Sequence, residues 1–232
     1  MRPVFEHPWN LTPTEAVNLQ RRLADRVVTT GEPAAIETVC GVDVSYDKTD
    51  DNFFAAVVVM NPRDFAVIET RTAMARSPFP YVPGLLSFRE LPVVIEALAK
   101  LQTTPDLLAC DGHGLAHPRR FGLACHLGVL FDCATIGLAK SRLVGTHEEP
   151  GLEKGDWTWL VHKDERIGQV VRTRRAVSPL FVSPGHRLGF GEARQWALRL
   201  CPTWRLPETT RAAHRAVNEF RRGYREQADD VG

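Results

Sequence analysis

Two kinds of hydrophobic pattern alternate along this chain. Short, nearly continuous apolar runs predict buried β-strands, and longer stretches with apolar residues at helical spacing predict helices with one buried face. Strands are predicted at residues 38–46, 53–60, 65–73, 107–110, 134–140, 157–162, 168–173 and 180–186. Helices are predicted at residues 12–27 and 85–101, between Gly122 and Leu130, and at residues 191–200 and 207–226.

The order of these elements indicates the fold class. Short polar turns at residues 47–52 and 61–64 join the first three strands, which predicts an antiparallel meander. The strand, helix and strand that end at residue 140 have the order of a βαβ unit, whose strands are parallel. We therefore expect an α/β fold with a central mixed β-sheet flanked by helices. Because there is no internal repeat or low-complexity linker, we expect a single domain over residues 1–232.

Two helix starts have the spacing of a capping box, in which a Ser or Thr and a Glu three residues later exchange hydrogen bonds with the backbone. The first pair is Thr12 and Glu15, and the second is Ser87 and Glu90. Pro92 is expected in the first turn of the second helix, where its missing N–H does no harm.

The composition is that of an ordinary soluble globular protein. Hydrophobic residues make up 44% of the 232 residues and charged residues 25%. The chain has no run of about 18 apolar residues, so we expect no membrane span, and its start lacks the pattern of a signal peptide. Five irregularly spaced cysteines indicate neither a disulfide framework nor a zinc site. We expect reduced core cysteines at Cys110, Cys125 and Cys133, and a cytoplasmic monomer.

The net charge of +1 gives no indication of a polyanionic partner. Arginines cluster locally, at residues 119–120, 172–175 and 211–225. Such clusters either form a surface that binds phosphates or are solvated helix faces.

Asp111 ends a short apolar strand and is followed by Gly112 and Gly114. An Asp-Gly pair is a common turn signal, so Asp111 could simply cap a turn. Ligand sites in open α/β sheets, however, lie at the carboxyl ends of the strands. Asp43 lies inside another apolar strand, where a lone carboxylate is costly to bury unless it is paired or bound to a cation. Two strand aspartates together favour a metal site.

Glu90 is either the capping glutamate of its helix or a third metal carboxylate. Three carboxylates without clustered His or Cys suit Mg²⁺ or Mn²⁺ better than zinc, because hard cations take oxygen ligands. Such a site supports phosphodiester hydrolysis. A strand aspartate, a helix glutamate and a second strand aspartate on this type of sheet are the arrangement of ribonuclease H-like nucleases.

Three further side chains each have two interpretations. Tyr81 lies in a proline-rich loop at residues 78–84, which is either a rigid connector or an aromatic wedge that stacks on bases. Lys140 is either a surface lysine or a cation that faces the carboxylates. His214 lies alone on the last helix, where a histidine is more often structural than a ligand.

Several runs together resemble the endonuclease V family, also called deoxyinosine 3′ endonuclease. They are GVDV at 41–44, PYVPGLLSFRE at 80–90, DGHGLAHPRR at 111–120 and TIGLAK at 135–140, with GHR at 185–187 and RLPE at 205–208. The resemblance implies a ribonuclease H-like fold and Mg²⁺-dependent hydrolysis of the second phosphodiester bond 3′ to a deaminated adenine. Damaged DNA is then the partner.

The resemblance also implies roles for individual residues. The metal-binding carboxylates fall on Asp43, Glu90 and Asp111, the catalytic lysine on Lys140, and the C-terminal acid or histidine near the metal on His214. The remaining positions concern the substrate. The wedge falls on Pro80, Tyr81, Val82 and Pro83, the base pocket on Gly84, Leu86, Gly112, Gly122 and Leu143, and contacts with the flipped nucleotide or its phosphates on His117 and Arg119.

Two other functions stay open. The same nuclease could act mainly on inosine in single-stranded RNA, because that choice depends on contacts with the 2′-hydroxyl. A lesion-binding protein without chemistry is the alternative from another class, although a pure binder has no need of a metal site.

Overall fold

One mixed β-sheet runs through the part of the chain that the computed structural model describes, residues 1–30, 35–46, 52–77 and 79–229. Its strands, within these ranges, are β1 Val39–Tyr46, β2 Asn52–Met60, β3 Val67–Arg76, β4 Leu107–Cys110, β5 Ala134–Ala139, β6 Trp157–His162, β7 Glu165–Val171 and β8 Leu180–His186. The helices are α1 Pro13–Ala24, α2 Leu86–Ala99, α3 Leu123–Phe131, α4 Phe190–Leu200 and α5 Glu208–Asp229.

The sheet has the strand order β3-β2-β1-β4-β5-β8-β7-β6. β1, β2 and β3 pair antiparallel, while β4 lies parallel to both β1 and β5. The predicted meander and the predicted βαβ unit are therefore confirmed, and with them the ribonuclease H-like mixed α/β fold. Of the predicted turn at residues 47–52, only Asn52 lies within the described residues.

Helices cover both faces of the sheet. Alternate side chains of β2 point to opposite faces, so this strand contributes to the core on each side. Phe53, Val57 and Val59 pack in one core with α2 and α3. Val58 and Met60 belong to a second core with α4 and α5. This burial on both faces explains why β2 reads as a continuous apolar run.

The start of α2 differs from the prediction. Its N-cap is Leu85, and no side chain caps it. Ser87 lies inside the helix and its hydroxyl contacts the ring of His126 at 3.0 Å, so the predicted capping box of Ser87 and Glu90 is wrong. Pro92 lies inside the helix rather than in its first turn. The capping box of Thr12 and Glu15 is present as predicted.

The hairpin of β6 and β7 has a shorter loop than predicted. Lys163 and Asp164 both have positive φ values, of 56° and 62°, as in a two-residue turn that matches the twist of the strands. Glu165 therefore already belongs to β7. The hairpin itself was predicted, around residues 163–166. Its loop was predicted too long because neither Lys163 nor Asp164 is the Gly or Asn that this conformation favours.

The prediction for the cysteines is borne out in the described residues. All five cysteines are free thiols. Cys110 and Cys125 are buried, and Cys133 is half-buried. None of the helices there combines the length and apolar character needed to cross a membrane.

Helix α5 reaches the sheet through a glycine. A Cβ atom added to Gly41 would lie 2.1 Å from the carbonyl oxygen of Thr209 at the start of α5, which is far inside van der Waals contact. Only glycine lets the helix approach β1 this closely.

We therefore expect Gly41→Ala to destabilise the fold by about 1–3 kcal/mol or more, because the helix must move away from the sheet. Gly223→Ala on the same helix is the control, since a Cβ there meets no atom within 4 Å. It should be neutral or stabilising by up to about 1 kcal/mol. Urea unfolding measures both, and equal stabilities of the two variants would contradict this account.

Candidate active site

The register of the parallel strands brings two aspartates side by side. Val42 in β1 pairs with Cys110 in β4, so the next residues, Asp43 and Asp111, lie at the same level of neighbouring strands. Cys110 in turn pairs with Gly137 in β5, and Lys140 follows the end of β5. Asp43 inside β1, Asp111 directly after β4 and Lys140 directly after β5 thus bring two carboxylates and one ammonium group to one edge of the sheet.

A cavity of about 320 Å³ lies at this edge. Helix α2 contributes Glu90 to it, and α5 contributes His214. All five residues that were predicted to be catalytic line this cavity, together with apolar side chains; its lining is Val42, Asp43, Val44, Ser45, Leu86, Glu90, Val94, Asp111, Leu123, Lys140 and His214. The structure therefore brings together the complete predicted set.

Lys140 forms an ion pair with Asp111. Its backbone is held in turn by Arg205, whose Nη2 donates to the carbonyl oxygen of Lys140 at 3.1 Å. The Lys140 side chain is 46% exposed, so it can also reach a bound phosphate. Facing the carboxylates, it matches the second of its two interpretations.

His214 is oriented by two neighbours. Its Nδ1 lies 2.8 Å from the carboxylate of Asp43, which can only accept, so this nitrogen donates. Its Nε2 lies 3.1 Å from the amide nitrogen of Asn218, one helical turn further along, and accepts from it. The histidine therefore connects α5 to the first strand aspartate.

Two of the carboxylates, Glu90 and Asp43, have raised pKa values. Burial, and then the charges of Asp43 and Asp111, raise the pKa of Glu90 to about 8. Burial also raises the pKa of Asp43, opposed by the hydrogen bond from His214. Carboxylates that are hard to ionise are typical of functional sites.

The chemistry of this set suits a hard divalent cation. The donors are oxygen atoms on Asp43, Glu90 and Asp111, which match the preference of Mg²⁺ and Mn²⁺. In the described residues, no group of three or more His, Cys, Asp and Glu side chains already converges as a ligand set. Instead, Asp111 faces Lys140 and Asp43 faces His214. The raised pKa of Glu90 fits a cation because a positive charge there would offset the burial of a negative one.

A second cavity of about 250 Å³ adjoins the first, and the two share Leu86 and Leu123. Every residue predicted for the base pocket lines it: Gly84, Leu86, Gly112, Gly122 and Leu143. Three predicted wedge residues, Tyr81, Val82 and Pro83, form its rim. Pro80 is exposed and does not line it, while Pro78 of the same loop lies outside the described residues.

The loop above this cavity is fixed through one carbonyl group. The oxygen of Gly84 accepts from His117 Nε2 at 2.9 Å, from Arg119 Nη2 at 2.7 Å and from Gln20 Nε2 at 3.0 Å. Gly84 has φ of +80°, which favours glycine. His117 and Arg119 thus position the loop, and their predicted contact with a nucleotide stays a prediction.

The protonation of His117 follows from its partners. Its Nδ1 accepts from the backbone N–H of Arg119 at 3.2 Å, so Nε2 carries the single proton that it donates to Gly84. Burial lowers the pKa of His117 to about 4, which keeps this neutral form.

Sequence reasoning missed part of the cavity lining. The missed residues are Gln20, Ser87, His113, Leu123, Ser141 and Arg142. Of these, only His113 carried a signal, because it stands between two glycines after Asp111. Its largely buried Nδ1 has no hydrogen-bond partner in the described residues, and burial lowers its pKa to about 4. Gln20 looked like one more polar position of α1.

Two of the three predicted arginine clusters, those at residues 172–175 and 211–225, differ in their role. Arg172 is 4% exposed and holds the loop before β6 through Gly151 and Pro150, so it is structural. Arg211 and Arg215 on α5 line a groove of about 290 Å³ that begins at Asp111 and Lys140. Only the second group extends the site as a cationic surface.

The chain is similar to known proteins over most of its length. The family model described as Endonuclease V matches residues 21–215. Endonuclease V of Nostoc sp. is 49% identical over 91% of this chain and 96% of that protein. The crystal structure of Streptomyces avermitilis endonuclease V is 42% identical, with a TM-score of 0.88 over 98% of this chain and 100% of that one.

A further similar structure contains nucleic acid. Ciona intestinalis endonuclease V, in complex with a 24mer DNA containing an inosine followed by a ribo-adenosine, is 26% identical. The two structures superimpose with a TM-score of 0.80 over 91% of this chain and 98% of that chain.

The pKa of Glu90 leads to a prediction about stability. Because its folded pKa of about 8 lies above its ordinary value of 4.5, the folded state binds the proton more tightly than the unfolded chain. Stability should therefore fall as the pH rises from 4.5 to 8. Without divalent cations, Glu90→Gln should match the wild type at pH 5 and exceed it at pH 8.5 by up to a few kcal/mol.

Thermal unfolding in EDTA and in Mg²⁺ measures this effect. Mg²⁺ should stabilise the wild type more at pH 8.5 than at pH 6, because cation binding must displace the proton, and it should stabilise Glu90→Gln less. The exposed Glu96 lies on the same helix, and Glu96→Gln is the control. The same pH dependence in both variants would contradict the assignment.

Proposed function

This chain belongs to the endonuclease V family, and on that premise we propose that it is a DNA repair endonuclease specific for deaminated bases. Its substrate is DNA that contains deoxyinosine, whose base is hypoxanthine. It hydrolyses the second phosphodiester bond 3′ to the lesion with Mg²⁺, which Mn²⁺ can replace. The whole chain, residues 1–232, acts as one catalytic domain, as a monomer in the cytoplasm.

One observation carries this proposal. The carboxylate cavity and the adjoining base-sized cavity share Leu86 and Leu123 as a common wall. An enzyme that flips a base into one pocket and cuts the backbone nearby needs such a pair of sites. The DNA bound to Ciona intestinalis endonuclease V contains an inosine, which supports the same class of ligand for this chain.

The proposed roles in hydrolysis combine the family resemblance with the contacts that these side chains make. Asp43, Glu90 and Asp111 hold the divalent cation, which when bound activates water and offsets phosphate charge. Lys140 neutralises charge that develops on the phosphate, and it also holds Asp111. His214 orients Asp43 and would assist the departure of the 3′ oxygen.

The proposed roles in recognition belong to the loop. Tyr81 is 67% exposed at the rim of the base cavity, where it fills the gap in the duplex that a flipped base leaves. The carbonyl of Gly84 and its three donors keep the loop in place. His117 and Arg119 therefore act as positioning residues of this loop.

Inosine in RNA is the second candidate substrate. The Ciona intestinalis complex has a ribo-adenosine after its inosine, and this favours a role for the 2′-hydroxyl next to the lesion. We propose DNA as the main substrate and treat the RNA preference as an outcome of the test.

The first test maps the cut in a labelled duplex with one deoxyinosine, in Mg²⁺ or EDTA. The wild type should nick only in Mg²⁺, at the second bond 3′ to the lesion. Asp43→Asn and Asp111→Asn should lose at least about a thousandfold in rate, as expected for a lost catalytic group, while still binding the lesion. Glu96→Asn, remote from the cavity, is the control. Metal-independent cutting, or full activity of both variants, would contradict the site.

Two matched oligonucleotides distinguish the substrates. They differ only in the 2′-hydroxyl of the nucleotide after inosine. Similar rates, or faster cutting of the all-DNA strand, support the repair enzyme. Cutting of the ribonucleotide-containing strand alone makes the protein an inosine-specific ribonuclease with the same site, and tight binding without any cut makes it a lesion-binding protein.

Replacing the wedge should affect recognition more than chemistry. Tyr81→Ala should lose about 1–3 kcal/mol of preference for the damaged over the intact duplex, the usual contribution of one base stacked on an aromatic ring. Tyr81→Phe keeps the ring and should retain the preference. Competition binding with both duplexes measures it, and an unchanged preference in Tyr81→Ala would argue against a wedge.

A further inference from the structure

A chain of hydrogen bonds leads from the N-terminal segment to the wall of the base cavity. His7 Nε2 lies 2.8 Å from His126 Nε2, and His126 Nδ1 lies 3.0 Å from the hydroxyl oxygen of Ser87. Ser87 lines the base cavity, and His7 does not. We call His7, His126 and Ser87 the histidine chain.

The far end of the histidine chain fixes its direction. His7 Nδ1 lies 2.9 Å from the carbonyl oxygen of Pro8. A carbonyl oxygen only accepts hydrogen bonds, so Nδ1 of His7 must carry a proton. In a neutral ring the other nitrogen, Nε2, is then an acceptor. Burial lowers the pKa of His7, which favours this neutral form at neutral pH.

The direction of the hydrogen bond between His7 and His126 then determines the protonation of His126. Because His7 Nε2 accepts, Nε2 of His126 must donate to it, which leaves Nδ1 of His126 as an acceptor. Burial lowers the pKa of the completely buried His126 well below its ordinary value, so this ring has only one proton to place. The hydroxyl proton of Ser87 is therefore directed to His126, and the lone pairs of its oxygen stay available as acceptors.

The surroundings keep His126 in this position. Its ring packs among the rings of Trp9, Phe88 and Phe121, with centroid distances of 5.0–5.4 Å. In the described residues, the Ser87 hydroxyl has no other hydrogen-bond partner. The hydroxyl oxygen is therefore fixed in place, on a residue that is only 2% exposed and lines the base cavity.

Donors lie beside this acceptor. Helix α2 begins at Leu86 without a side-chain cap, so the backbone N–H groups of Leu86 and Ser87 lack the acceptors that a longer helix would supply. Both residues line the base cavity. The cavity wall thus offers N–H donors next to a hydroxyl acceptor.

We propose that Ser87 is a specificity-determining residue, held by His7 and His126 as an acceptor that reads the N1 proton of a lactam-type purine such as hypoxanthine. The 6-oxygen of that base meets the neighbouring N–H donors. Adenine presents the opposite order, with an amino donor at position 6 and an acceptor at N1, so both contacts fail. This inference rests on the proposed function and adds the group that distinguishes the deaminated base.

The test compares two bases that differ in this edge. One duplex carries deoxyinosine, and the other carries deoxynebularine, a purine with neither the 6-oxygen nor the N1 proton. Ser87→Ala should lower the cutting or binding of the inosine duplex by about fivefold to tenfold, the effect of one neutral hydrogen bond. The nebularine duplex should be unaffected. Ser77→Ala, at another buried serine, is the control.

A variant of His7, which lies outside the cavity, tests the histidine chain. His7→Phe keeps an aromatic ring but removes the acceptor for His126, so the Ser87 hydroxyl is no longer fixed and the inosine-to-nebularine ratio should fall several-fold. His7→Gln restores a carbonyl acceptor and should restore most of the ratio. Since His7 is outside the cavity, a purely structural role would leave the ratio unchanged.

The outcomes separate the two proposals. In one outcome the wild type prefers inosine, while Ser87→Ala lowers the cutting or binding of both duplexes equally, or of neither. That result overturns the role of Ser87 but not the proposed nuclease function. If Ser87→Ala responds as expected but His7→Phe keeps the full inosine-to-nebularine ratio, the histidine chain does not fix the Ser87 hydroxyl as an acceptor. A wild type that neither binds nor cuts inosine overturns the proposed function and this inference together.

Discussion

Three carboxylates that share one cavity are the constraint on which the rest of this structure depends. Burial and mutual repulsion make Glu90 hard to ionise, and a fold without compensating charges would be destabilised by such a group. The compensation comes from outside the meander: Lys140 follows β5, and His214 lies on α5. The last helix therefore holds Asp43 through His214, and the βαβ unit holds Asp111 through Lys140. Gly41 is glycine for the same reason, since it lets α5 approach β1.

The recognition loop has a different kind of anchor, made of neutral and cationic donors around one carbonyl group. Three side chains from α1 and from the segment after β4 donate to Gly84. These donors bind the backbone carbonyl of Gly84, so the loop keeps its position without needing any contact from the side chain of Tyr81. That side chain can therefore stay exposed at the rim. A stiff loop loses little entropy when a ligand binds, which favours recognition of a rare base among many normal ones.

Residue patterns alone predicted most of the fold and the carboxylates of the candidate metal site. They failed where the role of a residue depends on which residues lie next to it in the folded chain. Asp43 and Asp111 could be found because each interrupts or ends an apolar strand, and parallel strands bring such positions to one edge. The role of Ser87 could not be found, because its spacing to Glu90 imitates a capping box. The hydroxyl of Ser87 instead bonds His126, which lies beside it only because α3 packs against α2. Gln20 gave no signal for the same reason.

In the proposed recognition of the base, the N-terminal segment contributes a residue from outside the range that the family model matches. The family model matches residues 21–215, whereas His7 precedes that range. The segment is nevertheless tied to the core, through the amino group of Met1 to Leu98 and the N–H of Val4 to Leu130. These bonds hold His7 against the buried ring of His126. Since a hydroxyl group can donate or accept equally well, its direction must be set by its neighbours. A surface segment thereby determines which hydrogen bond the wall of the cavity can make.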